Sequence, residues 1–188
     1  MEESKAMICG ILLDATYFTT HVDKISQYVQ TISAFVKVFK EIHDMSFVFL
    51  QIFAGKTVYV DTKDHLFENI ANGVKQVLTE KFDAKRPNLS AAMSSAMCRI
   101  NSYSKSNPTL HKKIVAISTP LNAAPTFITV MNNIFAAQKI GVSIDTIVIS
   151  DNEEPCTICQ QASYLTNGIY NMSSLDTLLP RLLVCWFG

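Results

Sequence analysis

Residues that could bind a divalent cation follow the first strand-like run of the sequence. The run Met7–Leu13 is short and continuously apolar, which is typical of a strand buried on both faces of a parallel sheet. The residues Asp14-Ala-Thr-Tyr-Phe18 come directly after it. Magnesium prefers an octahedral set of oxygen ligands, part of which an Asp-x-Ser-x-Ser turn would supply. Here only Asp14 and Thr16 offer oxygen and Phe18 takes the third position, so the sequence predicts a degenerate site that binds no metal.

The other predicted strand ends offer few further ligands. Ser118-Thr-Pro-Leu121 contains no carboxylate, and Ser90 and Ser94 could add only hydroxyl groups. A lone carboxylate leaves most of a coordination shell to water, so a simpler role for Asp14 is to cap a turn or a helix start. The alternative, a metal-dependent domain in which a carboxylate of the ligand completes the shell of a magnesium ion, stays open.

Other residue types with chemical potential form no complete site. Cys156-Thr-Ile-Cys159 has the spacing of half a zinc site, but a closed structural site needs four ligands and the sequence has no second such pair. Pro155 predicts a helix start here, so Cys159 is interpreted as a packed side chain. No glycine-rich phosphate loop is present. The histidines form no motif with a serine or cysteine, so we predict no cofactor and no enzymatic activity; they are His21, His43, His65 and His111.

The composition is that of a compact domain without a strong electrostatic bias. The chain has 188 residues, of which 48% are hydrophobic, enough for one domain with a substantial core. Sixteen basic residues balance sixteen acidic ones, so any contact with DNA is expected to be indirect or weak. The longest apolar runs are about half the length that a membrane-spanning helix needs, and no membrane association is expected. The five scattered cysteines favour reduced thiols inside a cell.

Strand and helix patterns alternate along residues 1–188, which we expect to form a single domain. Apolar residues at steps of three and four predict helices, and short β-branched runs predict strands. The predicted fold is α/β: a doubly wound, mostly parallel six-stranded sheet with one antiparallel edge strand and helices on both faces. The predicted strands are Met7–Leu13, Met45–Ala54, Thr57–Val60, Ile114–Ser118, Ile144–Ile149 and Gly168–Met172. The predicted helices are Asp23–His43, Asp64–Phe82, Leu89–Tyr103, one beginning at Pro125 and ending before Gly141, Pro155–Leu165 and Leu175–Cys185. The helix after Pro125 is predicted to carry Phe127, Ile128, Met131, Ile134 and Phe135 on one face, with Gly141 as its C-terminal cap.

Several segments in the last third of the chain resemble one family. They are Met131–Lys139 (MNNIFAAQK), Ile144-Asp145, Cys159–Ala162 (CQQA), Thr166–Tyr170 (TNGIY) and Leu178–Leu183. Together they are similar to the smaller von Willebrand A-domain subunit of the core of TFIIH, the general transcription and nucleotide-excision-repair factor. The turn at Asp14 is degenerate in that family too. The family continues into a four-cysteine zinc module that this sequence does not contain, and the insertion after its second strand is shortened here.

The resemblance implies a von Willebrand A-like, Rossmann-like fold and a nuclear, non-catalytic scaffold subunit. It would bind the RING-like zinc module of the larger von Willebrand A subunit and other core subunits, and would act in transcription initiation and excision repair. The alternative function is a metal-dependent ligand-binding A domain. Tyr17, Phe18 and Leu121 are candidate anchors for the partner, since exposed apolar residues in strand-end loops suit an interface. They could equally cover the top of the core, and the outer face of a flanking helix is another possible docking surface.

Overall fold

A six-stranded mixed sheet forms the centre of the protein. The computed structural model describes residues 6–42, 46–79, 88–120, 124–151 and 155–187. The strands stand in the order β3-β2-β1-β4-β5-β6, and all neighbours are parallel except β3, which pairs antiparallel with β2 at one edge. The predicted sheet is therefore confirmed. The strands are β1 (Met7–Asp14), β2 (Phe47–Phe53), β3 (Thr57–Val60), β4 (His111–Ser118), β5 (Val142–Ile149) and β6 (Tyr170–Ser173).

The described residues include six α-helices and three short 3-10 helices beside these strands. The helices are α1 (Ile25–Ile42), α2 (Leu66–Thr79), α3 (Leu89–Ser104), α4 (Ala124–Ile140), α5 (Thr157–Leu165) and α6 (Leu178–Phe187). Within the described ranges, no helix combines the length and the hydropathy needed to cross a bilayer. The 3-10 turns are Thr16–Thr19, Val22–Lys24 and Leu175–Thr177, so the first and last predicted helices begin as 3-10 turns.

The core has two layers, one on each face of the sheet. Because successive side chains of a strand point to opposite faces, Cys9, Ile11 and Leu13 of β1 enter one layer while Ile8 and Leu12 enter the other. The first layer also contains buried side chains of α1, α2 and α6, and the second those of α3, α4 and α5. This explains why the run Met7–Leu13 is apolar throughout: it is covered by helices on both sides.

Two glycines lie where most side chains would be strained or would clash with the backbone. Gly141 has a φ of +68° and follows directly after α4, which confirms it as the predicted C-terminal cap. At Gly168 a Cβ atom would lie 2.0 Å from the carbonyl oxygen of Ile144. The amide of Gly168 also donates to the carbonyl of Ser163 at the end of α5. Gly168 therefore closes the α5 turn, and β6 begins only at Tyr170.

Candidate functional site

The carboxylate of Asp14 is held from both sides at the carboxyl end of β1. Its side chain is 1% exposed. Oδ1 accepts hydrogen bonds from the amide (2.8 Å) and the hydroxyl (2.6 Å) of Thr16. Oδ2 accepts from the amide (3.0 Å) and the hydroxyl (2.7 Å) of Thr119 and from the hydroxyl of Ser118 (3.4 Å). Asp14 thus joins the loop after β1 to the end of β4.

This set of donors does not fit a divalent cation. The hydroxyl oxygens of Thr16 and Thr119 lie 3.2 Å apart beside Asp14, so three oxygen-bearing side chains do converge. However, both oxygens of Asp14 are already engaged by protein donors. Within the described part of the chain, no group of three His, Cys, Asp or Glu side chains could hold a metal ion. A magnesium ion here would have one carboxylate to balance its charge, against the oxygen-rich shell that it prefers.

Thr119 was missed as a member of this site by the sequence reasoning. No carboxylate follows β4 in Ser118-Thr-Pro-Leu121, so the sequence predicted no acidic ligand there. The available signal was the position of Thr119 directly after a strand predicted to be parallel, because the carboxyl ends of parallel strands share one edge of a sheet. Its amide and hydroxyl are donors to Asp14, so Thr119 acts here as the partner of the carboxylate.

Ser90 and Ser94 do not contribute to the Asp14 site. Both lie on α3 and hydrogen bond to Asn133 of α4. The hydroxyl of Ser94 donates to Asn133 Oδ1 (2.8 Å), and Asn133 Nδ2 donates to the carbonyl (2.8 Å) and hydroxyl (2.9 Å) of Ser90. These serines therefore link two neighbouring helices.

The candidate partner anchors lie mostly inside the protein. Phe18 is 0% exposed, and its ring centroid lies 4.7 Å from that of Tyr28. Tyr17 is also buried; its hydroxyl donates to Asp151 (3.2 Å) and accepts from Lys24 (3.2 Å). Burial of Phe18 corresponds to the alternative in which this side chain covers the core. Leu121 lies outside the described residues, and partner contact by Tyr17 or Leu121 stays a prediction.

The pair Cys156 and Cys159 is buried at the start of α5. The two Sγ atoms lie 3.0 Å apart, and neither cysteine forms a disulfide. Cys159 is 0% exposed, as expected of a packed side chain. The hydrogen bond with Cys156, and then burial, raise the pKa of Cys159 well above its usual value. A thiol with a raised pKa is a poor nucleophile at neutral pH because the thiolate is the reactive form.

A buried ion pair links the later strands to the last helix. Lys113 Nζ of β4 lies 2.7 Å from Asp145 Oδ2 of β5 and also donates to the carbonyl of Cys185 in α6 (2.7 Å). Asp145 Oδ1 accepts from the amide of Ile169, just before β6 (2.9 Å). Burial raises the pKa of Asp145, and the hydrogen bond and charge of Lys113 act against that rise. The arrangement joins β4, β5 and α6 to the residue before β6, and the two charges face each other, as in a structural ion pair.

The outer face of α4 is an apolar surface on the described part of the protein. Phe127, Ile128 and Phe135 are 41%, 68% and 49% exposed. They follow one another at helical spacing together with half-buried Met131. The sequence prediction placed Ile134 on this same face, which is wrong: it is buried against the sheet with Val130 and Ala137. The helix is thus apolar on both its inner and outer faces, and its sequence contains a single charged residue, Lys139.

The sheet order, the antiparallel edge strand and the turn at the end of β1 define a von Willebrand factor A-type α/β fold. The crystal structure of the TFIIH p34 N-terminal domain has the same fold, with a TM-score of 0.78 and 22% identity over 95% of this chain and 97% of that chain. A von Willebrand factor type A structure from Catenulispora acidiphila matches 95% of this chain and 41% of that chain, with a TM-score of 0.65 and 11% identity.

The chain belongs to the transcription factor Tfb4 family, whose sequence profile matches residues 15–187. General transcription factor IIH subunit 3 of Dictyostelium discoideum is 32% identical over 112 residues, which are 60% of this chain and 30% of that protein. General transcription and DNA repair factor IIH subunit TFB4 of Arabidopsis thaliana is 33% identical over 97 residues, 50% of this chain and 31% of that protein. These matches therefore span about a third of each curated relative.

Proposed function

We propose that this chain is a non-catalytic scaffold subunit of the TFIIH core. In this role it binds the RING-like zinc module of the larger von Willebrand A subunit and acts in the nucleus, in transcription initiation and nucleotide excision repair. Membership of the Tfb4 family supports the proposal, as do the names of the two relatives, which are subunits of factor IIH. The balanced charge of the chain supports contact with DNA through partners and not through its own surface.

The outer face of α4 is the observation that carries this proposal. An apolar helix face is normally buried, whereas the outer apolar face of α4 stays exposed within the described structure. Aromatic and aliphatic side chains that lie close together in this way are typical of the centre of a protein interface. The resemblance segment 131–139 also lies on this helix. We therefore place the partner's zinc module on Phe127, Ile128, Met131 and Phe135.

The first prediction concerns the interface itself. Phe135→Asp is expected to weaken binding to the purified RING-like module by about 30-fold or more, because it would bury a charge in place of an aromatic anchor. Titration calorimetry with the two purified proteins measures this change. Val38→Asp, at a partly exposed apolar position of α1 on the opposite face of the sheet, is the matched control and should bind nearly as well as the parent.

Two results would contradict the α4 interface. Equal affinities of the parent and the Phe135→Asp variant would place the zinc module elsewhere on the chain. Failure of the parent to bind the module at all would remove the scaffold proposal in its stated form. Far-UV circular dichroism of the variant should match that of the parent, because Phe135 is half exposed and adds little to the core.

A metal-dependent ligand-binding A domain is the second candidate function. The observation in its favour is the convergence of Asp14, Thr16 and Thr119 at the end of β1. The observation against it is that Phe18, at the third position of the turn, is directed into the core and supplies no oxygen. We therefore propose that Asp14, Thr16 and Phe18 form no metal site and that partner binding requires no divalent cation bound to this chain.

A magnesium titration tests the metal-dependent alternative. A folded-state ligand at a hundred times its Kd stabilises a protein by about 2.7 kcal/mol. We expect millimolar MgCl2 to leave the melting temperature of this chain unchanged. Treatment of this chain with EDTA, followed by removal of the chelator, should leave its affinity for the zinc-loaded module unchanged. An increase in melting temperature that Asp14→Ala abolishes would establish the metal-binding alternative.

A further inference from the structure

A cleft lies at the edge of the sheet, on the face that α3 covers only in part. Helix α3 packs over β1 and β2, so the β3 residue Tyr59 remains 47% exposed on the same face. The cleft has a volume of about 380 Å³. Phe47, Phe49 and Tyr59 supply its aromatic surfaces, and Asp61, Lys63 and Arg99 its charges. We call it the Arg99 cleft.

Arg99 is held over two aromatic rings at this cleft. Its guanidinium carbon lies 5.2 Å from the ring centroid of Phe49 and 5.0 Å from that of Tyr59. Stacking of this kind fixes the plane of the guanidinium group but uses none of its N–H donors. Among the described residues, no carboxylate lies within ion-pair distance of Arg99 and no acceptor forms a hydrogen bond with it. A planar, oriented cation with unused donors is suited to bind a carboxylate.

A second aromatic surface adjoins the same cleft. Phe47 stacks on Tyr103 of α3 with ring centroids 4.6 Å apart and an interplanar angle of 16°. Tyr103 is itself exposed. The arrangement combines aromatic rings and an arginine, which are the residue types enriched at the energetic centres of interfaces. It lies at the β3 edge of the sheet, whereas α4 packs over β5.

We propose that the Arg99 cleft is a second protein-docking surface, which takes an acidic peptide segment of a partner. A carboxylate of that segment binds Arg99, with Lys63 contributing a second positive charge, and a neighbouring apolar side chain contacts Phe47 and Tyr103. The charges that line the Arg99 cleft favour a peptide over a nucleic acid as its ligand. A phosphate backbone requires a continuous row of cations, whereas this cleft has two, with the carboxylate of Asp61 beside them.

Selection from a random linear peptide library on the purified chain tests this proposal. We expect enriched peptides to combine Asp or Glu with an apolar or aromatic residue. Their affinity should fall at least about tenfold in Arg99→Gln, because a hydrogen bond to a charged group is lost. Arg99→Lys should also bind more weakly, since it retains the charge but lacks the planar fork. Arg181→Gln, at an exposed position of α6, is the matched control and should bind normally.

The Phe135→Asp variant separates this inference from the α4 interface. It should bind the selected peptides as the parent does. Either proposed surface can therefore be contradicted by experiment while the other is supported. Three results would overturn the proposal: enriched peptides without acidic residues, affinity that is equal in the parent and in Arg99→Gln, or a labelled oligothymidine that binds the parent and loses affinity in Arg99→Gln. Circular dichroism spectra of the variants are compared with that of the parent, and exposed Arg99 is expected to be replaceable without loss of fold.

Discussion

Replacing Lys113 by methionine is expected to reduce the free energy of unfolding by about 3–5 kcal/mol, the range typical of breaking a buried ion pair from one side. The substitution removes the cation that lies 2.7 Å from Asp145, whose side chain is almost completely buried. Among the described residues, the carboxylate would then retain the amide of Ile169 as its one hydrogen-bond partner. The carbonyl of Cys185 would lose a donor at the same time. Urea denaturation followed by circular dichroism measures the change.

The double variant Lys113→Met, Asp145→Asn is the control for this first prediction. Asparagine keeps an oxygen that can accept from Ile169, and no charge is then left buried. Replacing both partners of a buried pair is often close to neutral, so the double variant should be more stable than Lys113→Met alone. If the double variant is no more stable than Lys113→Met, an unpaired Asp145 carboxylate is not the cause of the loss, which contradicts this prediction.

The same ion pair shows why one strand boundary was not predictable. Predicted β4 began at Ile114, whereas the strand begins at His111. A polar His-Lys-Lys sequence is not typical of a buried strand, and only the position of Asp145 on β5 explains a lysine there. Cross-strand partners depend on the sheet order, which local periodicity does not determine. The apolar β1 was predictable because its environment, helices on both faces, leaves a signal in its own residues.

Helix α4 shows a related limit for the candidate docking surface. The spacing of Phe127, Ile128, Met131, Ile134 and Phe135 predicted one apolar face, but two faces of the helix are apolar. Periodicity marks apolar positions without saying what covers each of them. The inner contact is made by this chain, and the outer one is assigned to a partner under our proposal. The burial of Phe18 could not be decided from sequence for the same reason, since an apolar loop residue suits both a core and an interface.

Asp14→Ala is expected to reduce the free energy of unfolding by about 2–5 kcal/mol, in EDTA as well as in magnesium. Five hydrogen bonds converge on this carboxylate, two of them from the backbone amides of Thr16 and Thr119. A buried donor left without an acceptor costs about 1–3 kcal/mol, and the amides, unlike the hydroxyls, cannot rotate toward another acceptor. The magnitude is measured by urea denaturation in both buffers.

The size of this loss in the chelator distinguishes the two roles of Asp14. A carboxylate that served mainly as a metal ligand would contribute little without metal, so its removal in EDTA would leave stability nearly unchanged. The structural role predicts the full loss there, because Thr16 and Thr119 supply the stabilising donors. Asp14→Asn should fall between the parent and alanine, since it can accept from Thr16 but turns an NH2 group toward the amide of Thr119. Asp23→Ala, which removes an exposed carboxylate nearby in sequence, should cost under about 0.5 kcal/mol.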